Sequence, residues 1–215
     1  MDNYLQKYSL LKEQNVSRET LLEFEMFISI LKKKNEEINI ISKETAKDDI
    51  IRERHVIDSA QIIDFVDLNS TIITDIGSGG GMPGIIISIM AKKLNNSAKF
   101  YLYEKSHHKS AFLRKVSREL KLNTEVIQEN IFEAQNLESG TIIARAFKPL
   151  PIVLDLVYKN FSSYKNLILF MGKNGEKILE DTLKNWDFDF EKKKSITSED
   201  SFLLNVKNIK KKLEN

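Results

Sequence analysis

The sequence contains no cysteine and only three histidines, His55, His107 and His108, among its 215 residues. The absence of cysteine excludes disulfide bonds and thiolate metal sites. Three histidines are also too few soft ligands for a convincing zinc site. Any cofactor of this protein is therefore expected to be organic, and we predict no metal.

Long uninterrupted apolar segments are missing as well. Hydrophobic residues make up 41% of the chain and charged residues 30%, which is typical of a soluble globular protein and leaves no stretch suited to crossing a membrane. Acidic residues scattered through the first thirty positions argue against a signal peptide. They are Asp2, Glu13, Glu19, Glu23 and Glu25. We expect a cytoplasmic protein.

The net charge is only +2, so no global field indicates a nucleic-acid partner. The charge is unevenly distributed, however, because residues 92–121 contain nine basic residues against two acidic ones. Residues 1–60 contain ten basic residues against twelve acidic ones. The basic stretch is either a solvated surface or part of an RNA-binding face, and its composition alone does not separate the two.

The length of the chain suits one domain with a small elaboration. Apolar residues at helical spacing predict amphipathic helices over 18–34 and 47–66, with a loop or turn at 38–42 between them. Residues 1–66 are therefore expected to form a helical N-terminal extension that packs on a core formed by residues 67–209. Residues 210–215 are expected to be a frayed tail.

After residue 70, short apolar runs alternate with helical stretches, which predicts a mostly parallel sheet with helices on both faces. The predicted strands span 71–76, 99–104, 124–128, 141–144 and 166–171. The predicted helices span 83–94, 106–120, 149–161 and 175–185. Two more strands, 187–193 and 202–207, are too close for a parallel crossover and predict an antiparallel hairpin. The expected fold is a seven-stranded α/β sheet of the Rossmann-like class I methyltransferase type.

A glycine-rich loop, DIGSGGGMPG at 75–84, contains five of the eight glycines and lies between the first strand and the next helix. Glycine lets the backbone turn sharply and present its N–H groups to a ligand. Gly79, Gly81 and Gly84 satisfy the dinucleotide pattern GxGxxG. A second register begins at Asp75, whose charge would repel a pyrophosphate and attract the ammonium group of S-adenosylmethionine. We favour the second register and predict S-adenosylmethionine as the cofactor.

Glu104 ends the second predicted strand, where a carboxylate can accept both hydroxyl groups of a ribose. Both candidate cofactors contain a ribose, so this residue does not distinguish between them. An oxidoreductase that uses a nicotinamide cofactor, a methyltransferase that acts on a protein or small molecule, and a binding module without activity all stay open at this point.

Four motifs together resemble the bacterial 16S ribosomal RNA guanine-N7 methyltransferases, the glucose-inhibited division protein B family. They lie at 54–59, 75–84, 106–114 and 145–147, and the resemblance extends over nearly the whole chain. It implies that Gly77 and Met82 contact the cofactor, that Ile131 and Phe132 lie beside its adenine, and that Arg145 reaches the site from the fourth strand. The family usually has Lys-Gly after the fifth strand. This chain has Met-Gly-Lys at 171–173, which leaves the role of Lys173 open.

The resemblance implies methyl transfer to guanine N7, an atom that carries a lone pair and no proton. No general base is then required, and we predict no catalytic acid or base. His55 and Asp58, three residues apart, are interpreted as a hydrogen-bonded pair that fixes the N-terminal helix to the sheet.

The partner implied by the resemblance is 16S rRNA in the small ribosomal subunit or its precursor. RNA contacts are predicted from basic residues, and the protein is expected to be a monomer. The predicted RNA-binding residues are Lys109, Arg114, Arg118, Lys121 and Lys148.

Overall fold

A sheet of seven strands forms the centre of the computed structural model, which describes residues 4–94 and 97–212. The strands are β1 Ile72–Ile76, β2 Lys99–Tyr103, β3 Thr124–Ile127, β4 Leu137–Ala144, β5 Phe161–Met171, β6 Trp186–Lys194 and β7 Phe202–Lys211. Their order is β3-β2-β1-β4-β5-β7-β6. Strands β1 to β5 are parallel, whereas β7 runs antiparallel to both β5 and β6. The predicted α/β fold with a C-terminal antiparallel hairpin is confirmed.

Helices cover both faces of this sheet. The α-helices are α1 Tyr4–Lys7, α2 Arg18–Asn35, α3 Asp48–Ile51, α4 Asp58–Ala60, α5 Gly84–Lys93, α6 His107–Glu119, α7 Leu150–Asn160 and α8 Gly175–Leu183. Helices α2, α5 and α6 contribute to the apolar core on one face, and α7 and α8 to the core on the other. Neighbouring strand residues alternate between them, as Ile142 and Ile143 do, because successive side chains of a strand point to opposite faces.

The first part of the N-terminal extension is the predicted amphipathic helix, α2. Ser17 begins it by accepting a hydrogen bond from the N–H of Thr20 at 3.2 Å. Its apolar side chains pack against the α5 side of the core, where each stabilises the fold by about 1.5–3 kcal/mol. These buried residues are Leu21, Phe24, Phe27, Ile28 and Leu31. Arg52 holds the following segment by a two-pronged ion pair with Glu25, at 2.7 and 3.1 Å.

The prediction of one continuous helix over 47–66 was wrong. The segment consists of α3, a π-helical turn at Arg52–Ile57, the short α4 and a 3-10 turn at Ile63–Phe65. In a π turn the backbone hydrogen bonds join residues five positions apart, in place of the four of an α-helix. Here the carbonyl groups of Arg54 and His55 accept hydrogen bonds from the side chains of Arg145 and Ser59. A local bond from Ser59 and a distant one from Arg145 therefore accompany the change of helix type, and sequence periodicity does not reveal the distant one.

Three strand ends differ from the prediction by more than one residue. β4 and β5 begin at Leu137 and Phe161, before residues 141 and 166, because they pair with each other in this region. Exposed polar residues such as Glu138 hide that pairing from a hydropathy pattern. β7 continues to Lys211, so 210 and 211 belong to the sheet and not to the predicted tail. Residues 213–215 lie outside the described residues. Within 4–94 and 97–212, no helix is long and apolar enough to cross a membrane.

The order of the strands determines which edge of the sheet can bind a ligand. The chain leaves β1 toward β2 and β3 on one side, and β4 lies on the other side of β1. The carboxyl ends of β1, β2 and β4 therefore meet at the point where strand order reverses. Open α/β sheets bind ligands in the crevice at this point.

Candidate active site

A cavity of ≈ 650 Å³ opens at this edge, a volume suited to a small organic ligand. Its walls come from the loops that follow β1, β2, β3 and β4. Two residues of the N-terminal extension, Ile40 and His55, complete them. The extension therefore contributes directly to the site as well as to the core.

The glycine loop after β1 forms the floor of this cavity. Gly77 and Gly79 have φ values of +73° and +54°, the left-handed region that favours glycine. A Cβ atom on Gly77 would lie 2.2 Å from Cδ2 of Phe147, so a side chain has no room there. The N–H groups of Gly77 and Ser78 both donate to the carbonyl of Tyr103 at 2.9 Å. The loop is thereby fixed to the end of β2.

Glu104 lies where the sequence predicted, at the end of β2, and its side chain faces the cavity. It is 9% exposed. One carboxylate oxygen accepts from the N–H of Gly79 at 2.9 Å, and the other from the N–H of Ser106 at 2.7 Å. A carboxylate has further lone pairs, so Glu104 is oriented by the backbone and can still accept hydrogen bonds from two hydroxyl groups.

Asp75 does not line the cavity, in contrast to the prediction that it attracts the ammonium group. Its side chain is buried behind the glycine loop and accepts from the N–H of Gly84, the first residue of α5, at 3.0 Å. Burial raises the pKa of Asp75 to about 7, although this N–H favours the charged form. Gly81 also faces away and packs against Ile85 and Leu113. Both residues support the conformation of the loop from the side that faces away from the cavity.

Arg145 reaches the cavity wall from the end of β4, as the resemblance implies. Its guanidinium group is bound to the N-terminal extension through Asp58, at 3.2 Å, and through the hydroxyl of Ser59, at 3.2 Å. Nδ1 of His55 lies 3.5 Å from it. The predicted pair of His55 and Asp58 therefore meets at Arg145 and not directly. The two residues do fix the extension to the sheet, as predicted.

His55 is held in its neutral form. Burial, followed by the nearby positive charge of Arg145, lowers the pKa of His55 to about 4. With Nδ1 accepting from the guanidinium, the ring proton resides on Nε2, which is buried and has no hydrogen-bond partner within the described residues. A neutral imidazole engaged in this way is unsuited to act as a base near neutral pH.

The predicted cofactor residues divide into two groups. Those that line the cavity are Gly77, Gly79, Met82, Glu104, Ile131, Phe132 and Arg145. The structure does not bring Asp75 and Gly81 to it. Ile131 is buried at 3% exposure, whereas Phe132 is 42% exposed at the mouth. The cavity thus has a polar floor of backbone, an apolar side and two carboxylates, Glu104 and Glu129, in its walls.

The predicted RNA-binding residues are also divided. Lys109 and Lys148 line the cavity. Arg114 donates to the side chain of Gln128 and to the carbonyl of Val126, both at 3.3 Å. Arg118 lies about 16 Å farther along α6 than its first residue, at 1.5 Å per residue. Lys121 is exposed just beyond the end of that helix.

The charge of the basic stretch is partly neutralised. Four of its nine basic residues form ion pairs with acidic residues. They are Lys92, Lys93, Lys99 and Lys115. The charge pattern of the sequence overstated the positive surface, because the acidic partners include Glu23 and Glu125, which lie outside the stretch. The basic residues that line the cavity are the stronger indication of an anionic partner.

Several lining residues were not predicted, among them Ile40, Tyr103, Lys105, Asn130 and Phe147. Lys105, Asn130 and Phe147 follow strands β2, β3 and β4, and the rule for the carboxyl edge of a parallel sheet could have identified them. No local pattern identifies Ile40. Lys173 is exposed and does not line the cavity. Among the described residues, no group of three or more His, Asp or Glu side chains is placed to hold a metal ion.

This fold and cavity define the chain as an S-adenosylmethionine-dependent methyltransferase of class I. The residues present suit that cofactor, with a carboxylate for the ribose, an apolar wall for the adenine and a tightly turned glycine backbone. A SAM-dependent methyltransferase from Aquifex aeolicus is similar to it with a TM-score of 0.55 and 13% identity, covering 73% of this chain and 92% of that chain. The 16S rRNA methylase RmtB gives a TM-score of 0.53 and 11% identity, covering 89% and 75%. At these identities the likeness concerns the fold alone.

The sequence comparisons narrow the class to a family. Residues 20–205 match the family model GidB, rRNA small subunit methyltransferase G, and the chain belongs to this family. Ribosomal RNA small subunit methyltransferase G of Pelagibacter ubique is 78% identical over 212 residues, covering 99% of this chain and 100% of the relative. The protein of that name from Dinoroseobacter shibae is 32% identical over 185 residues, covering 86% and 93%. These relatives do not favour an oxidoreductase, a methyltransferase of proteins or small molecules, or an inactive binding module.

Proposed function

We propose that the chain transfers a methyl group from S-adenosylmethionine to N7 of a guanine in 16S rRNA, presented in the small ribosomal subunit or its precursor in the cytoplasm. The observation that carries this proposal is the cavity itself, which Glu104 and the glycine loop line together with Lys109 and Lys148. The relatives' name, ribosomal RNA small subunit methyltransferase G, supports the class of substrate.

Different lining residues would hold different parts of the cofactor. Glu104, oriented by Gly79 and Ser106, would accept the ribose hydroxyl groups. Ile131 would cover the adenine through dispersion and exclusion of water. The backbone at Gly77 would approach the methionine portion, where a side chain has no room. Bound in this way, the cofactor supplies a methyl group activated by a positively charged sulfur.

The chemistry required of the protein is positioning. The lone pair of N7 forms the new bond to the methyl carbon as the bond from that carbon to sulfur breaks, and the electron pair of the old bond stays on sulfur. No proton is removed from N7, and the positive charge passes to the purine. Alignment of this kind can contribute up to ~7–11 kcal/mol. A neutral His55 bound to Arg145 is consistent with a site that has no general base.

Phosphate contacts would orient the RNA. Lys109 and Lys148 line the opening, and the exposed Lys105 stands beside them. Contacts of this type release counterions, so RNA binding is expected to weaken as the salt concentration rises. Removal of each lysine should make this salt dependence less steep, by about one unit of the logarithmic slope. The farther residues Arg114 and Arg118 remain predicted contacts along α6.

The experiment that tests this function measures transfer of labelled methyl from S-adenosylmethionine to small subunits that lack their native methylations, followed by mapping of the modified base. We expect label at one guanine N7 and none with Gly77→Asp, because residue 77 has φ +73° and no space for a side chain. Gly172→Ala is the matched control, since a Cβ atom there meets nothing within 4 Å. Label on another atom or only on protein would refute the proposal.

A further inference from the structure

Two phenylalanine rings lie together at the mouth of the cavity. Phe132, from the loop after β3, and Phe147, from the loop after β4, have ring centroids 5.8 Å apart and planes inclined by 21°. Both line the cavity, and Phe132 is 42% exposed. The rings form a stacked aromatic surface above Gly77, open to solvent on one side.

The backbone holds Phe132 firmly. Asn160, a buried residue at the end of α7, donates to the carbonyl groups of Ile131 at 3.4 Å and Phe132 at 3.2 Å, and also to that of Ala134. On the other side, the N–H of Phe132 donates to the side chain of Asn130 at 3.4 Å. An exposed aromatic residue on a loop tied down in this way is preorganised for contact with a ligand.

Phe147 is placed by an unusual backbone conformation. The preceding residue, Ala146, has a φ of +49°, which is uncommon for a residue with a side chain and is found preferentially at functional sites. The turn lays the ring of Phe147 directly over Gly77, which has no side chain to obstruct it. The strained backbone at Ala146 and the absence of a side chain at Gly77 thus both determine the position of the Phe147 ring.

Basic side chains outnumber acidic ones in this cavity by four to two, the acidic ones being Glu104 and Glu129. Lys105, Lys109 and Lys148 line the same cavity, and none of them forms an ion pair within the described part of the chain. An aromatic surface beside cations is the arrangement that proteins use to stack an unpaired nucleobase while holding its phosphates. The pair of rings therefore suits a base that has left its own stack.

Resting on the proposed function, we propose that Phe132 and Phe147 form a platform on which the target guanine stacks during methylation. Methylation at N7 makes the purine cationic, and the face of an aromatic ring attracts a cation. The platform would therefore bind the transition state more tightly than the neutral base, which is the kind of binding that increases rate. This proposal assigns Phe132 to the substrate in place of the adenine contact that the family resemblance implies, and leaves Ile131 as the apolar contact for the adenine.

The test replaces each ring by a side chain that is apolar but not aromatic, in Phe132→Leu and Phe147→Leu. We expect kcat/KM for small subunits at saturating S-adenosylmethionine to fall by about 10- to 100-fold, as expected when one base-stacking interaction is removed. Calorimetry should show unchanged cofactor affinity in Phe132→Leu. Phe132→Tyr and Phe132→Trp should restore kcat/KM. Phe190→Leu is the matched control, because Phe190 is 41% exposed on β6, away from the cavity.

Two results would overturn the inference. One is an unchanged kcat/KM in Phe132→Leu, which alters an exposed ring and leaves the core intact even if Phe147→Leu fails to fold. The other is a loss of activity explained entirely by weaker cofactor binding, which would assign Phe132 to the adenine. Failure of the proposed function is distinct, because the wild-type protein would then give no label at guanine N7 before any variant is compared.

Discussion

Substitution of Gly77 by alanine tests the loop geometry in its simplest form. At φ +73° a residue with a Cβ atom is strained, at a cost of about 1–2 kcal/mol. The new methyl group would also lie 2.2 Å from the ring of Phe147, well inside the ~3.5–4.0 Å of a normal carbon contact. The ring must therefore shift toward the cavity or the loop must move.

Calorimetry with S-adenosylmethionine and thermal unfolding measure the two consequences. We expect the strained φ of Gly77→Ala to lower the melting temperature by about 2–8 °C, since 1 kcal/mol corresponds to about 2–4 °C for a chain of this size, and the clash with Phe147 to lower it further. Cofactor affinity should fall about 10-fold or more, equivalent to about 1.4 kcal/mol. The double variant Gly77→Ala with Phe147→Leu should regain part of the stability lost to the clash. It should regain none of the stability lost to the strained φ. Unchanged affinity and melting temperature in Gly77→Ala would refute the reasoning, as would equal effects in Gly172→Ala.

Three other perturbations follow from the same contacts. The pKa of Asp75 is raised from 3.8 to about 7 in the folded chain, so its contribution to stability is present below about pH 4 and is lost as pH rises through about 7. Urea unfolding should show a smaller decline in stability over this range for Asp75→Asn, whose amide oxygen can still accept from Gly84. Arg145→Lys should cost about 1–3 kcal/mol and speed proteolysis of the N-terminal extension, because lysine lacks the planar fork of donors. Glu104→Gln should weaken cofactor binding about 10-fold or more by calorimetry, because an amide cannot accept from Gly79 and Ser106 at once.

Each of these predictions has an opposite outcome that is easy to recognise. A decline of stability with pH that is the same in Asp75→Asn and wild type would assign it to other groups. Arg145→Lys with wild-type proteolysis would show that the extension is held by its apolar contacts alone. If Glu104→Gln bound the cofactor with wild-type affinity, the carboxylate of Glu104 would not be the group that binds the ribose.

The sheet was predictable because its information is local. Apolar runs such as 167–170 are long enough for a strand buried on both faces, and the few residues between β6 and β7 exclude a parallel crossover. The glycine loop and Glu104 were predictable for a similar reason. Both stand at strand ends, where the fold brings ligands, and their residue types restrict the chemistry.

Other features depend on contacts that form only in the folded chain. The sequence predicts that Asp75 contacts the cofactor, yet the orientation of its side chain is set by the N-terminus of α5. The π turn at 52–57 bonds to Arg145, some ninety positions away in the chain. The pairing of Phe132 with Phe147 requires two loops to meet. Residue type and spacing along one segment cannot supply such information, and only assembly of the sheet brings these groups together.

The position of β7 also bears on how the protein is made. β6 is synthesised before β7 but pairs only with it, and β5 likewise presents an unpaired edge until β7 inserts between them. Folding during synthesis proceeds from the N-terminus, so on the nascent chain the glycine loop and β1 to β4 can assemble first. The apolar edge of β5, with Leu167 and Leu169, remains open to wrong pairing until residues 202–206 of β7 have emerged. Synthesis of β7 therefore completes the sheet, and a chain interrupted before it leaves the edges of both β5 and β6 unpaired.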